Sequence, residues 1–151
     1  MTKKATTKVF KKPLRAIDPA RSLVRAPVGP SQDAQKMALA AAAAGLDKKA
    51  IDVAIIDVTG KVDYADFLVL MTGQSDRHVA SIAEGVDSAL SAVGWQAISV
   101  EGLPRGQWVL IDFVDVVVHV FSAETRTLYD IDGLWMDARR LRVPESAPGT
   151  G

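Results

Sequence analysis

The chain contains no cysteine and only two histidines among its 151 residues. Without cysteine there is no disulfide, no thiolate metal ligand and no cysteine nucleophile. His78 and His119 fall on different predicted elements, and neither has a second ligand at the i, i+4 spacing of a helical metal site. The sequence therefore predicts neither a metal site nor a bound cofactor.

Long apolar runs are also missing from the sequence. A membrane-spanning helix needs about eighteen or more apolar residues in a row, and the longest apolar run here, residues 37–46, consists mostly of alanine. Nor is there a hydrophobic stretch of the secretory kind near the N-terminus. We therefore expect a cytoplasmic protein without a membrane span.

Positive and negative charges balance over the whole chain but not along it. Residues 1–30 carry a net charge of +7, from eight basic residues and one acidic residue. Residues 31–151 carry a net charge of −7, from ten basic and seventeen acidic residues. The acidic part suits a basic protein partner better than nucleic acid phosphates. The basic part suits contact with RNA, attachment to an anionic surface, or solubility.

Proline and glycine residues mark the two ends of a single domain. In residues 1–30 they interrupt any regular pattern, and apolar residues are sparse, so this segment is predicted to be a disordered basic tail. Residues 31–143 have the length and composition of one compact domain. Residues 144–151, with the sequence PESAPGTG, are predicted to be a flexible C-terminal end.

Apolar periodicity within residues 31–143 predicts alternating helices and strands. Three helices are predicted, from Ser31 to about Lys49, from Ser75 or Asp76 to just before Gly94, and from Ser122 or Glu124 to about Asp130. Five strands are predicted, at Ile51–Val58, Phe67–Thr72, Trp95–Val100, Gln107–Phe113 and Asp115–Phe121. This order indicates an α/β fold with a single mixed five-stranded sheet and helices packed mainly on one face.

The last two predicted strands carry polar and aromatic side chains on one face. Alternation places Trp108 with Asp112 on one strand, and Asp115 with His119 on the next, while the intervening valines are core residues. Tryptophan beside charged and imidazole groups is typical of a protein-recognition surface. This face is the strongest candidate for a binding site.

Candidate catalytic residues are few, and each has a simpler structural interpretation. Ser75 follows a predicted strand and precedes a helix, as in a nucleophile elbow, but Arg77 stands where the second glycine of that motif belongs. We favour Ser75 as a helix N-cap. Asp112 and Asp115 flank a tight turn and could hold a metal or act as acid and base, but aspartate is a common turn residue, and we favour a turn or interface role.

The start of the second helix is also a candidate for anion binding. Free amides and the helix dipole favour an anion there, and Arg77 and His78 in the first turn would strengthen it. The loop lacks the spacing of a P-loop or a dinucleotide fingerprint. On position alone, the two residues are equally well explained as solvated polar side chains.

Several short motifs, taken together, resemble the ribosomal silencing factor (Iojap-like) family. They occur in the family's order and spacing over about residues 34–138. They are TGQSDRH at residues 72–78, Glu101-Gly102, WVLID at residues 108–112, DVVVHVF at residues 115–121, ETR at residues 124–126, Tyr129-Asp130 and Leu134-Trp135, together with the earlier pairs Lys49-Ala50, Asp57-Val58 and Asp66-Phe67.

The resemblance implies a translational repressor rather than an enzyme. Such factors bind the large ribosomal subunit through its fourteenth protein, which is basic and rich in β-structure, and block joining of the small subunit during nutrient limitation. Members are often homodimers when free. Their fold is similar to that of nucleotidyltransferases without the catalytic acidic motif. The alternatives left open are a nucleotide-binding or degenerate nucleotidyltransferase and an assembly factor for the large subunit.

The resemblance also implies roles for particular residues. Trp108 would be the aromatic anchor for the partner, surrounded by Asp112, Asp115 and His119. Arg77 and His78 would lie at the same surface or brace it. The basic tail is not part of the family core, and its charge alone leads us to expect an electrostatic contact with ribosomal RNA. One departure stands out, because the family usually has glycine in the turn where this chain has Phe113-Val114.

Overall fold

A computed structural model describes residues 31–103 and 106–144. The predicted basic tail and residues 145–151 of the predicted flexible end lie outside the described residues. The helices are α1 (Gln32–Asp47), α2 (Asp76–Ala92), α3 (Ala123–Tyr129) and α4 (Ile131–Leu134). The strands are β1 (Ile51–Asp57), β2 (Phe67–Gly73), β3 (Ser99–Glu101), β4 (Trp108–Asp112), β5 (Val116–Ser122) and β6 (Arg139–Leu141).

The strands form one mixed sheet in the order β3-β4-β5-β2-β1-β6. β2 and β5 are parallel, and every other neighbouring pair is antiparallel. The prediction of a mixed α/β sheet is confirmed, but the prediction of five strands is wrong, because β6 adds a sixth. Two of the three residues of β6 are arginines, so this strand shows no apolar alternation in the sequence.

The sheet separates two apolar clusters, one on each face. Helices α1 and α2 pack on one face, where their apolar stripes meet alternate residues of the strands. The other face is covered more thinly. Its cover comes from the loop between β1 and β2 and from residues 123–138, here called the C-terminal segment. All seven residues of β2 are buried, as expected for a central strand covered on both faces. The predicted packing of helices mainly on one face is therefore confirmed for the two long helices.

Serine side chains begin three of the helices. The hydroxyls of Ser31, Ser75 and Ser122 accept backbone amides three residues further on, at 3.0, 3.0 and 3.1 Å. Each bond satisfies one amide that the first turn of the helix leaves without a partner. The predicted N-caps are confirmed, and so is Gly94, which follows α2 with a φ of 96°. Within the described ranges, no helix is long and apolar enough to cross a membrane.

The turn between β4 and β5 has an unfavourable residue at its centre. Val114 has a φ of 82°, in the region that glycine adopts most easily. The amide of Asp115 donates to the carbonyl of Phe113 at 3.1 Å, and the amide of Phe113 donates to the carbonyl of Val116 at 2.9 Å. The hairpin closure thus holds a β-branched residue in a left-handed conformation.

Replacing Val114 with glycine is expected to stabilise the protein. Relief of the left-handed conformation outweighs the larger entropy of glycine in the unfolded chain, for a net gain of about 0.5–1 kcal/mol. Urea unfolding followed by circular dichroism would measure this gain. Val116→Gly is the control, because Val116 is fully buried in β5 and its loss should destabilise. A Val114→Gly variant that is less stable than wild type would show that the turn is not strained.

Candidate functional site

Trp108 stands at the first position of β4, on the sheet face opposite α1 and α2. Its indole Nε1 donates to Nδ1 of His119 on β5, at 3.1 Å. Its ring centroid lies 5.8 Å from that of Phe121 and 4.8 Å from that of Tyr129 in α3. We call these four residues the tryptophan face. Contacts from one neighbouring strand, β5, and one helix, α3, therefore fix the position of the indole.

Only part of the tryptophan face is accessible to a partner. Phe121 is fully buried and His119 is 8% exposed, whereas Trp108 is half-buried and Tyr129 is 56% exposed. Because Nδ1 of His119 accepts the indole proton, that nitrogen carries no proton of its own. His119 therefore supports Trp108 from the interior of the protein, and the accessible surface consists of the indole of Trp108 and the phenol ring of Tyr129.

Asp112 and Asp115 lie at the far end of the same hairpin. Trp108 and Asp112 are the first and last residues of β4, about 14 Å apart at the rise of an antiparallel strand. Asp112 is 1% exposed, and its Oδ1 accepts the amide of Val114 at 2.8 Å. The carbonyl of Asp115 accepts the amide of Asp66 at 2.7 Å. The structure does not bring these two aspartates together with Trp108; both take part in the turn and its link to β2.

Arg77 and His78 occupy the first turn of α2. Nδ1 of His78 accepts the amide of Gln74 at 2.9 Å, and its Nε2 then donates to the carbonyl of Lys48 at 2.8 Å. His78 thus ties the start of α2 to the end of α1. Arg77 is exposed.

The first turn of α2 lies at the same end of the strands as Trp108. β2 ends at Gly73, which pairs with Ser122, and Trp108 pairs with the neighbouring Phe121. The loop before β4 approaches α2 so closely that a Cβ on Gly106 would collide with the carbonyl of Asp76. Arg77 and His78 therefore lie at the same end of the strands as Trp108, but on a helix that packs on the opposite face of the sheet.

A polar cleft separates the starts of α2 and α3 at this end of the strands. Gln74, Ser75, Gln107, Glu124 and Leu128 are among its lining residues. The hydroxyl of Ser75 accepts the amide of His78, as an N-cap does, and among the described residues no histidine or acidic side chain is paired with it. In the ranges that the structure describes, no group of three or more histidine or acidic side chains is arranged to hold a metal ion.

Arg126 of α3 holds the C-terminal segment onto the sheet. Its Nε and Nη2 donate to the two oxygens of Asp132 at 2.8 and 2.9 Å. Its Nη1 donates to the hydroxyl of Thr72 at 3.0 Å and to the carbonyl of Asp52 at 2.6 Å. The guanidinium also lies 5.6 Å from the ring centroid of Phe121. Arg126 therefore fixes α3, and with it Tyr129 of the tryptophan face.

The pairing of Arg126 with the Asp132 carboxylate should make the attachment of the C-terminal segment sensitive to acid. The hydrogen bond from Arg126 holds the pKa of the Asp132 carboxyl below its ordinary value of 3.8. A lowered pKa in the folded state gives a stabilisation that is present above pH 3.8 and is lost as the pH falls through the lowered value. Wild type should thus lose more stability than Asp132→Asn between pH 5 and pH 3, as followed by thermal unfolding. Parallel pH curves for the two proteins would contradict this contribution.

Several exposed apolar residues lie in the same C-terminal segment. Leu128, Leu134 and Met136 are 74%, 65% and 77% exposed. Trp135 packs against the apolar cluster on this face of the sheet, whereas its neighbour Leu134 does not. This exposure is hard to predict from sequence, because α3 has seven residues and α4 has four, which is too short for a clear apolar stripe.

The fold and the site define a small α/β domain with a partly exposed aromatic pair, Trp108 and Tyr129, at one end of its strands. The chain belongs to the family described as ribosomal silencing factor during starvation, whose model matches residues 31–150. The resemblance found in the sequence is confirmed. This family is one of silencing factors and not of enzymes.

Individual relatives show the same likeness. The Ribosomal silencing factor RsfS of Bacillus subtilis is 40% identical over 98 residues, which is 65% of this chain and 83% of that protein. A crystal structure of a Chromobacterium violaceum protein is 30% identical with a TM-score of 0.67, covering 78% of this chain and 98% of that one. A mouse protein named Mitochondrial assembly of ribosomal large subunit protein 1 is 26% identical over 91 residues, 58% of this chain and 40% of that protein.

Proposed function

We propose that this protein is a cytoplasmic translational repressor that binds the large ribosomal subunit through its fourteenth protein. Bound there, it blocks joining of the small subunit during nutrient limitation. The observation that carries this proposal is the family match over residues 31–150, which includes the whole described domain. The described domain supplies a braced aromatic surface, and no reaction is needed, because occupying the site is enough to exclude the other subunit.

The tryptophan face is the proposed docking surface. Tryptophan and tyrosine are the residues most often found at the energetic centre of a protein interface. Trp108 is held by His119, Phe121 and Tyr129 before any partner arrives, so little side-chain entropy is lost on binding. The net charge of −7 in residues 31–151 suits a basic partner and steers the encounter.

The other predicted site residues take supporting roles in this proposal. His119 holds Trp108 in place, and His78 joins the start of α2 to the end of α1. A contact of Arg77 with the partner stays a prediction. Asp112 and Asp115 keep the β4–β5 hairpin in register, and any direct contact of theirs with the partner stays a prediction. A homodimer in the free state and a topology like that of nucleotidyltransferases also stay predictions.

A second candidate function is assistance in assembling the large subunit. The name of the mouse relative, Mitochondrial assembly of ribosomal large subunit protein 1, favours it. It requires the same partner at an earlier time, so the two functions differ in when the protein binds. Depletion of the protein in growing cells should cause precursors of the large subunit to accumulate if assembly is its function. Mature subunits with increased subunit joining would support repression instead.

Light scattering of purified ribosomal subunits tests the main proposal. Subunits from a related bacterium are mixed at raised magnesium, with and without an excess of the full chain. We expect the chain to prevent the rise in scattering that accompanies joining when it is added to the large subunit first. Order of addition provides the control, since a steric blocker cannot act on subunits that have already joined. Unhindered joining, with large subunits shown to be competent, would refute the repressor function.

A further inference from the structure

The helix α3 turns one of its two sides to solvent. None of its seven residues is buried, and Leu128 is 74% exposed. At 3.6 residues per turn, Glu124 and Leu128 are neighbours on the side of the helix opposite Arg126. Glu124 is exposed as well. We call Glu124 and Leu128 the outer face of α3.

The other side of α3 is held by the rest of the domain. The hydroxyl of Ser122 accepts the amide of Thr125 at 3.1 Å and donates to the hydroxyl of Thr125 at 2.9 Å. Arg126 bonds to Asp132 and to groups in β1 and β2. The outer face is therefore carried by a fixed element, and a partner that binds it loses little entropy in ordering the backbone.

The outer face borders the polar cleft between the starts of α2 and α3. The cleft has a volume of about 600 Å³, and Asp76 lines it together with Glu124 and Leu128. Its ionisable lining residues, Asp76 and Glu124, are both acidic, and neither forms an ion pair with any residue that the structure describes. Arg77, which follows Asp76, does not line the cleft. A carboxylate beside an apolar side chain suits lysine or arginine, whose aliphatic stem packs on apolar surface while the charged end reaches the carboxylate.

The cleft and the outer face adjoin the tryptophan face at two points. Gln107, another lining residue, directly precedes Trp108, and Leu128 directly precedes Tyr129. The indole is half-buried and the phenol ring is 56% exposed, so both can meet a partner that also covers the outer face. Aromatic side chains at the centre and charged groups at the rim are the usual composition of a protein interface.

We propose that the outer face of α3 binds a lysine or arginine side chain of the protein partner, next to the tryptophan face. The stem of that side chain packs on Leu128, and its charged end pairs with Glu124 in the cleft. This inference rests on the proposed function, which requires a protein partner on the large subunit. The charge of residues 31–151, with seventeen acidic and ten basic residues, favours a basic partner.

The direction of a charge effect tests this proposal. Binding of the full-length protein to purified large subunits is followed by fluorescence anisotropy, for wild type and for Glu124→Gln. We expect Glu124→Gln to lower the affinity about 3-fold to 10-fold at about 50 mM KCl, and by less at about 200 mM, because salt screens a charge pair at the rim of an interface. Glu84→Gln is the matched control, since Glu84 is an exposed glutamate in the middle of α2, and it should keep the wild-type affinity.

Unchanged or tighter binding by Glu124→Gln would overturn the proposal. Tighter binding would mean that Glu124 faces RNA phosphates, whose repulsion the substitution relieves, and not a basic side chain. An equal loss of affinity in Glu84→Gln would also overturn it, because the effect would then come from the overall charge of the protein.

Leu128→Ala tests the apolar half of the same contact. We expect a loss of affinity of about 3-fold to 10-fold that does not depend on salt, because the stem of the bound side chain loses apolar surface. Ile98→Ala is the matched control. It removes the same number of carbon atoms from a side chain that is 61% exposed, at the end of the strands where Asp112 lies. Equal effects of the two substitutions would overturn the proposal.

Failure of the proposed function can be told apart from failure of this inference. If wild type does not bind large subunits, the proposed function fails, and a labelled polylysine peptide then tests the outer face of α3. Weaker binding of the peptide by Glu124→Gln than by Glu84→Gln would support a site for basic side chains. Equal binding by the two variants would overturn it.

Discussion

Trp108→Ala is expected to lower the affinity for the large subunit by about 30-fold to 1,000-fold. This corresponds to roughly 2–4 kcal/mol, the cost of removing an aromatic anchor from the centre of an interface. Two effects would contribute to this loss of affinity. The partner would lose its contact with the indole, and Tyr129 would lose the ring against which it packs, since the ring centroids of Trp108 and Tyr129 are 4.8 Å apart. Anisotropy of labelled protein with purified large subunits would measure it, and the variant should no longer block joining at concentrations where wild type does.

Two further variants make this result specific. Trp108→Phe keeps a ring in place but loses the donor to Nδ1 of His119, so its affinity should lie between those of wild type and Trp108→Ala. Trp95→Ala is the matched control, because Trp95 follows the last turn of α2. The 17 residues of this helix place Trp95 about 25 Å from the end of the strands where Trp108 lies. A similar loss of affinity in Trp95→Ala and Trp108→Ala would mean that general destabilisation, not docking, explains the effect.

Arg126→Gln is expected to cause the largest loss of stability of any single arginine replacement within the described residues. The Arg126 side chain is 13% exposed and bonds to one side chain in α4 and to groups in β1 and β2. Breaking a mostly buried pair leaves Asp132 without its main partner, and we expect a cost of about 2–4 kcal/mol, reduced from the fully buried case because Asp132 is 34% exposed. Urea unfolding of the two proteins would measure the difference.

Arg139→Gln provides the control for this effect. It makes the same chemical change in a side chain that is 71% exposed, where the loss should stay below about 1 kcal/mol. Arg126→Lys should not restore stability, because a lysine cannot make the paired bonds to Asp132. Equal stability of the Arg126→Gln and Arg139→Gln proteins would show that the Arg126 network does not hold the C-terminal segment. Since that segment includes Tyr129, the Arg126 variant should also bind the large subunit less well.

The positions of the long elements could be predicted from local sequence patterns. The serine caps, the apolar stripe of α2 and the buried runs of β1 and β2 each rest on neighbours within a few residues, and the structure has them close to where they were predicted. Short elements were predicted less well. The third strand was predicted at Trp95–Val100 but occupies Ser99–Glu101, and β6 was missed, because three-residue strands owe their existence to the strand beside them.

The candidate site was predicted in part. The alternating pattern of β4 and β5 placed Trp108 and His119 on one face, and the structure shows them joined by a hydrogen bond. The same pattern placed Asp112 with Trp108, although they lie at opposite ends of β4 and Asp112 is buried in its turn. A shared strand face says nothing of distance along the strand or of burial by other elements. The stacking of Tyr129 on Trp108 depends on α3 and had no signal in the strand pattern.

By itself, the sequence determined the class of fold, the starts of the helices, the strongest strands and the membership of the silencing factor family. These follow from periodicity, capping and motifs, which act over a few residues at a time. The tertiary structure alone decided how Arg126 meets groups 54 and 74 residues away and why Val114 adopts a positive φ. The physical reason is that these features depend on which distant segments pack together, and sheet pairing and burial settle that only when the whole domain is folded.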